Sequence, residues 1–435
     1  MPQRPRMLIL ADDLSGAADC GVACARAGLP TLVLLDAGAA GDAAEALAVD
    51  LDSRSLDAAA ARAVVRKAAD HRLRPGSLLY AKIDSTLRGN PGAEIAAARA
   101  ALAACLPARH GSLAVVAPAF PAMGRTVRDG RVLVRGVPLA QTETWRRERG
   151  DADPHLAAAL EAAGLRTRAA SLETVRGGGL AAAMQRARAE GAGAVVCDAE
   201  SESDLAAIAT AGTDLGPGIV WAGSAGLARH LAGRVASGAG PASRTAPPAH
   251  RRGGPVLVVI GSMSTLARAQ CQAIADQARR IAVPSEALLA GPTAAGWVAA
   301  EAALRRAVAA APAIVLSVEA DGGGMPPTRS VSAALARLVA PELHRIGALV
   351  ASGGDTARAV LTVAGVARLC LLGEIEPGVP LSVTAGLPGT PLPVVTKAGA
   401  FGDERTLIRC VEALRALPEA RDATASAAGR QENEA

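Results

Sequence analysis

The chain has 435 residues, of which 50% are hydrophobic and 20% charged, with both signs interspersed and a net charge of +5. That length calls for two or more domains, and the mixed charge argues against disorder over most of the chain. Aromatic residues make up only 1%, so the core must be Ala, Val, Leu and Ile, as suits helices on a parallel sheet, and stacking platforms for single-stranded nucleic acid are missing.

In chain order, Met7–Leu10 reads as a buried strand that ends at Asp12-Asp13, ahead of a helix over Gly16–Ala27. Further strands fall at Thr31–Leu35, Ala48–Leu51, Leu78–Ala81, Leu113–Ala117, Ala194–Cys197 and Ile219–Ala222. Helices at Leu56–Asp70, Gly92–Leu106, Gly179–Glu190, Ser203–Ala211 and Leu227–Ala232 alternate with them in a βαβ rhythm. Residues 236–255 are rich in Ser, Gly, Pro, Ala and Arg without periodicity and read as a linker. A second α/β rhythm follows, with strands Val256–Ile260, Ile314–Ser317, Ala348–Ala351 and Val394–Lys397 and helices Thr265–Arg279, Ser330–Val339, Thr356–Val363 and Glu404–Leu417. The expected fold class is therefore α/β, with two parallel-sheet domains over 1–235 and 256–417 and a frayed tail at 418–435.

The segment Lys82-Ile83-Asp84-Ser85-Thr86-Leu87-Arg88-Gly89-Asn90 packs two cations, a carboxylate, two hydroxyls and an amide into nine residues. Neither a core strand nor a surface helix needs that mixture, whereas a pocket for a small polyhydroxylated anion does. Lys82 and Arg88 suit a carboxylate, and Asp84, Ser85, Thr86 and Asn90 suit hydroxyls. Asp12-Asp13, Asp52-Ser53-Arg54-Ser55 and Gly124-Arg125-Thr126 also follow predicted strands, and Gly223-Ser224-Ala225-Gly226 ends the domain's last strand. A parallel sheet gathers such strand ends at one edge, where open α/β sheets bind ligands. Taken singly, Asp12 and Asp13 also suit helix capping, and Arg54 a solvated surface.

Three turns of the second half also follow strands: Ile260-Gly261-Ser262-Met263-Ser264, Ser352-Gly353-Gly354-Asp355-Thr356 and Lys397-Ala398-Gly399-Ala400-Phe401-Gly402. Small residues there let backbone N–H groups approach an anion, with a helix N-terminus behind. Together they could hold a di- or triphosphate; each alone is an ordinary βα turn. The chain has no Gly-x-x-x-x-Gly-Lys-Ser/Thr motif and no Gly-x-Gly-x-x-Gly after its first strand, which argues against a P-loop enzyme and a dinucleotide dehydrogenase. The seven cysteines form no Cys-x-x-Cys pair and the six histidines are dispersed, so no zinc site is expected. Without a cleavable apolar leader or a membrane-length apolar run, a cytoplasmic protein is expected, with no membrane or nucleic-acid partner and a possible homo-oligomer.

The ordered set of these motifs, with Pro118-Ala119-Phe120-Pro121, resembles the four-carbon acid sugar kinase family over about residues 7–415. The resemblance implies ATP-dependent phosphorylation of the terminal hydroxyl of D-threonate, D-erythronate or a 3-oxo-tetronate, with a sugar-acid domain first, a nucleotide domain second, and the active site in the cleft between them. Arg54, Lys82, Asp84, Ser85, Arg88, Asn90, Arg125 and Thr126 would then bind the acid, and Asp12, Asp13 or Asp84 would serve as base. Gly261, Ser262, Ser264, Gly353, Gly354, Asp355, Thr356 and Gly399 would hold ATP, and Asp355 would hold Mg²⁺ or the phosphate end of ATP. Two departures stand out. Ile260 replaces a serine present in some members, which leaves only backbone contact there, and Asp355 replaces a longer Glu. The competing readings are an aldolase or dehydratase with Lys82 as Schiff-base amine, and a non-catalytic sensor of the same acids.

Overall fold

The computed structural model describes residues 5–39, 44–107, 111–150, 152–237, 249–319, 328–387, 389–399 and 401–420. The chain forms two compact units, Met1–Ala246 with Ala367–Gly373, and Pro247–Val366 with Glu374–Ala435. The return of Ala367–Gly373 to the first unit is signalled by no motif in the sequence.

The strands in chain order are β1 Met7–Ala11, β2 Thr31–Leu34, β3 Ala46–Asp50, β4 Leu78–Lys82, β5 Leu113–Ala117, β6 Arg125–Arg128, β7 Arg131–Val134, β8 Val137–Pro138, β9 Thr167–Ala170, β10 Ala194–Cys197 and β11 Ile219–Gly223. They continue as β12 Val256–Ile260, β13 Arg279–Pro284, β14 Ala313–Glu319, β15 Ala348–Ser352, β16 Arg368–Glu376, β17 Val379–Ala385 and β18 Pro393–Lys397.

In the first unit β2, β3, β1, β4, β11, β5, β10 and β9 lie side by side, all parallel. The start of β16 adds antiparallel to β2, with Leu369 opposite Val33. β1 lies between β3 and β4, so the chain leaves it to one side through β2 and returns to the other at β4. This reversal of strand order makes the carboxyl ends of β3, β1 and β4 the place where an α/β sheet binds a ligand. The apolar runs MLILA and LAVVA are buried along their whole length, as a sheet covered on both faces demands.

Between β5 and β9 the chain builds a separate antiparallel ribbon, β6-β7-β8. The sequence reading missed it, because its short strands carry arginines and lack a long apolar run. Arg125 and Thr126 stand on β6, with Thr126 opposite Leu133.

In the second unit β13, β14, β12, β15 and β18 are parallel and β17 closes antiparallel on β18. The helix expected over Thr265–Arg279 stops at Ala273, and Arg279 opens β13. Hydrogen bonding of that segment to β14 outweighs the helical propensity of its Ala, Gln and Arg residues. At the ends of the expected linker, residues 236 and 237 finish the helix Ala225–Ser237, and Arg251 pairs with residues of the expected tail, accepting from Ala420 N at 2.9 Å and donating to Pro418 O at 2.8 Å. The rest of both segments, 238–248 and 421–435, lies outside the described residues. No helix among the described residues is long and apolar enough to cross a membrane.

Candidate active site

At and just beyond the ends of β1, β3 and β4 six charged side chains meet in a largely buried cluster. Arg54 Nε donates to Asp12 Oδ2 at 2.7 Å and Arg54 Nη1 to Asp13 Oδ2 at 2.8 Å. Arg54 Nη2 lies 3.6 Å from Asp84 Oδ1. One guanidinium therefore faces three carboxylates. Arg88 closes on the far side of Asp84 with a two-point fork, Nε to Oδ2 at 2.7 Å and Nη2 to Oδ1 at 2.9 Å. The Lys82 ammonium lies 3.8 Å from Asp12 Oδ1, beyond hydrogen-bond length.

The backbone is shaped for this. Asp13 caps the helix Leu14–Arg26, accepting from Gly16 N at 2.8 Å. A Cβ on Gly16 would sit 2.5 Å from Lys82 Nζ, so glycine there leaves room for the ammonium. Gly89, at φ 77°, lets its loop lie against Arg54 Cα, which a Cβ would approach to 3.3 Å. Leu87 and Asp52 take left-handed φ values of 55° and 50°, an uncommon conformation for leucine that concentrates strain beside the cluster.

The three aspartates differ in what they can still do. Asp84 is saturated by Arg88 and by the amide and hydroxyl of Thr86. Burial pushes its pKa up, but Arg88 and Arg54 outweigh burial and hold it well below the usual carboxylate range. Asp13 has one oxygen on the helix cap and one on Arg54; burial again raises it, and Arg54 and Lys82 bring the net shift down. Asp12, at 1% exposure, has its Oδ1 buried without a hydrogen bond, and burial leaves its pKa raised despite Arg54 and Lys82. Burial would lower Lys82, but Asp12 and Asp13 outweigh it and the net direction is upward.

The sequence reading missed one member. Glu94, in the first turn of the helix Pro91–Ala104, is buried and takes the Ser53 hydroxyl at 2.5 Å. Burial, then the Asp12 charge, raises its pKa to about 8. Its only sequence signal was an acidic residue in the first turn of a helix that starts at Pro91, which reads as ordinary dipole pairing. Of the residues expected to bind the acid, Arg54, Lys82, Asp84 and Arg88 come together, with Ser85 buried next to Asp84. Arg125 joins them electrostatically: burial lowers its pKa while Asp84 opposes and Arg88 adds to the lowering. The Asn90 amide donates to Leu56 O at 2.7 Å and so ties two loops together.

In the second unit the three glycine turns do converge. The Gly261 Cβ position is 2.1 Å from Thr356 Oγ1, and that of Gly399 is 2.7 Å from Ser262 Oγ. Any side chain at either glycine would fill the small space that these turns share. Gly353, at φ 106°, starts the helix Gly354–Val363 without a side-chain cap, so no capping side chain takes up the first N–H groups of that helix. Two of the residues expected there also make internal bonds: Thr356 is buried with its hydroxyl 3.1 Å from that of Ser332, and the Ser264 hydroxyl caps its own helix by accepting from Ala267 N at 3.2 Å. Lys397, also missed, is fully buried behind the third turn. Among the described residues no group of three or more His, Cys, Asp and Glu is placed to hold a metal ion. Asp355, in the first turn of its helix, supplies one carboxylate.

Comparison with known proteins gives these two sites a context. Residues 7–231 match the sugar-binding N-terminal domain family and residues 257–407 the nucleotide-binding C-terminal domain family. The chain is 42% identical to a D-threonate kinase of Cupriavidus necator, over 94% of this chain and 97% of that one. It is 37% identical to a D-threonate kinase of Bordetella bronchiseptica, over 94% and 98%. A crystal structure of a Salmonella typhimurium LT2 protein, described as a candidate tRNA synthase, aligns over 93% of this chain and 98% of that one, with a TM-score of 0.76 and 26% identity.

The Glu94 carboxyl yields a prediction that needs no substrate. It holds its proton to about pH 8 when folded and to about 4.5 when unfolded. The stability it contributes is complete below the lower value and is lost as pH rises toward the upper one. Glu94→Gln should therefore melt near the parent at pH 5 and increasingly above it toward pH 8, with no further gain beyond. A melting difference that stays flat with pH would show that Glu94 is ionised in the fold.

Proposed function

The chain belongs to the four-carbon acid sugar kinase family, and from that premise we propose that it moves the terminal phosphoryl group of ATP onto the C4 hydroxyl of a four-carbon aldonate, D-threonate first among them. Both curated relatives described above carry the name D-threonate kinase, which supports that choice over the other C4 acids.

The observation that carries the mechanism is the unpartnered Oδ1 of Asp12. Among the oxygens of Asp12, Asp13 and Asp84 it is the one that accepts no hydrogen bond, and its raised pKa suits a group that takes a proton. Asp12 is therefore the base for the attacking hydroxyl, and Arg54 keeps it aimed by holding Oδ2. Lys82, Arg88 and Arg125 supply the positive side of the pocket for the substrate carboxylate. Lys82 also stabilises the Asp12 charge before proton transfer. Its upward pKa shift disfavours the neutral amine that a Schiff-base mechanism requires.

ATP is the phosphoryl donor, and a bound Mg²⁺ would supply charge neutralisation on its phosphates. The chain's part is to hold them with the amides at Ser262, Gly354 and Gly399 and the uncapped helix start at Gly354, while Gly261 and Gly353 shape the turns, their own N–H groups donating to Ser352 O at 3.4 Å and Lys397 O at 2.7 Å. Asp355 is the carboxylate for Mg²⁺. A single carboxylate suits this ion, which keeps several waters and takes its remaining oxygens from phosphates.

A coupled ADP-release assay with ATP and Mg²⁺ over D-threonate, D-erythronate and 3-oxo-tetronate tests the reading, with D-threonate expected to give the highest kcat/KM. No ADP release with any of them, or borohydride trapping on Lys82, would overturn it. Asp12→Asn should melt like the parent and lose about 10²-fold or more in kcat. Asp13→Asn should keep its cap, which Asn makes as well as Asp, and lose much less. Equal losses in the two variants would remove Asp12 as the base. Gly399→Val should weaken ADP binding in calorimetry and leave sugar-acid binding intact; unchanged ADP affinity in the folded variant would take Gly399 out of the nucleotide site.

A further inference from the structure

We propose that Lys397 is the positioning residue of the nucleotide loop, a buried ammonium that gathers the carbonyls of Ala398, Gly399 and Phe401 and thereby turns the Gly399 amide outward to a phosphate. This inference rests on the nucleotide reading of the second unit. Lys397 ends β18, and its side chain folds back under the turn that follows. Its Nζ donates to Ala398 O at 3.0 Å, Gly399 O at 3.3 Å and Phe401 O at 3.1 Å. All three donors of the ammonium are thus spent on one turn. In a trans peptide the N–H points opposite to the C=O of the same unit. Drawing the Ala398 carbonyl toward Lys397 therefore aims the Gly399 N–H away from it.

A second clamp acts on the same segment. Gln270, fully buried, donates from Nε2 to Asp403 O at 2.7 Å and to Phe401 O at 3.3 Å. Gln270 is neutral and holds shape alone. Lys397 brings a full positive charge in a low-dielectric site directly behind the turn, which favours an anion in front of it.

The surroundings make the charge conditional on pH. Burial lowers Lys397 to about 8, against opposition from Cys410, Glu376 and Cys271. Cys410, on the helix Thr406–Arg415, is pushed up to about 12 by burial, and Cys271, on the helix Thr265–Ala273, is also raised by burial, so both stay thiols near pH 8. Glu376, at the end of β16, takes Arg409 Nε at 2.6 Å and the Thr406 hydroxyl at 2.5 Å, so its charge is balanced by Arg409. Lys397 is the group of this set that changes charge between pH 7 and 9. Nucleotide affinity should fall as pH rises through that window, above the range in which the phosphates of ADP titrate.

Calorimetric titration of the full chain with ADP tests this, using the parent at pH 7, 8 and 9, then Lys397→Met and Lys397→Arg, with D-threonate titrations and thermal melts alongside. The parent Kd for ADP should rise with pH. Lys397→Met should bind ADP about tenfold or more weakly at pH 7, with a higher KM for ATP, little change in kcat and an unchanged D-threonate Kd. Lys397→Arg, which stays charged, should lose the pH dependence. A parent Kd that is flat from pH 7 to 9 would overturn the proposal without recourse to any variant. So would a lowered melting temperature in Lys397→Met with the parental ADP Kd, the signature of a purely structural lysine. A parent that binds no ADP would sink the nucleotide reading itself, and this inference with it.

Discussion

The first unit's chemistry depends on one guanidinium. Three aspartates, two of them adjacent in sequence, crowd the ends of neighbouring strands and would repel one another if unpaired. Arg54, from the end of β3, reaches all three. Removing one partner from such a buried network typically costs about 3–5 kcal/mol, because the remaining charges keep their desolvation penalty. The other features follow from that hub. Gly89 lets a loop lie on the Arg54 backbone, Ser53 beside it takes up Glu94, and Asp12 is left with one oxygen held and one unpartnered. Asp12, Asp13 and Asp84 balance Arg54, Lys82 and Arg88 once Glu94 holds its proton. Arg125 is electrostatically coupled to Asp84, Arg135, Arg88 and Asp19, which extends the network beyond the strand ends.

The nucleotide site proposed for the second unit would meet an anion by different means. Its three turns present small residues and amides, and the positive charge stands behind the backbone at Lys397. Amides and a helix N-terminus suit a phosphate chain, whose oxygens accept from many donors at once. Paired side-chain charges suit a carboxylate and a hydroxyl that must be told apart from near relatives, since a site built to hydrogen-bond such groups discriminates strongly. The division between a charged pocket and an amide cradle matches the sugar-binding and nucleotide-binding domain families that the two halves match.

Much of this was legible in the sequence because parallel sheets place strand ends together. Asp12-Asp13, Arg54 and Lys82–Arg88 each followed an apolar run, and the register of β3, β1 and β4 brings them into contact. Contacts across long separations were not legible. Nothing local marks Glu94 as the partner of Ser53, 41 residues away. Lys397 looked like the last residue of a strand, and only the closed turn reveals that its ammonium is enclosed by carbonyls. Asn90, Ser264 and Thr356 have the polar chemistry of ligand contacts, and their internal bonds to Leu56 O, Ala267 N and the Ser332 hydroxyl could not be read from the sequence. The arginine-bearing ribbon β6-β7-β8 and the edge strand β13 were missed because pairing rather than hydrophobic period defines them.

The central claim is that Arg54 aims Asp12 by holding three carboxylates at once. Arg54→Lys tests it directly, because lysine keeps the charge but cannot fork across three acceptors. The measurement is kcat/KM for D-threonate in the ADP-release assay, with ADP affinity by calorimetry as the control for the second unit. A loss in kcat/KM of about 10²-fold or more, with ADP affinity unchanged, is the predicted result. A folded Arg54→Lys chain with the parental kcat/KM would contradict the account.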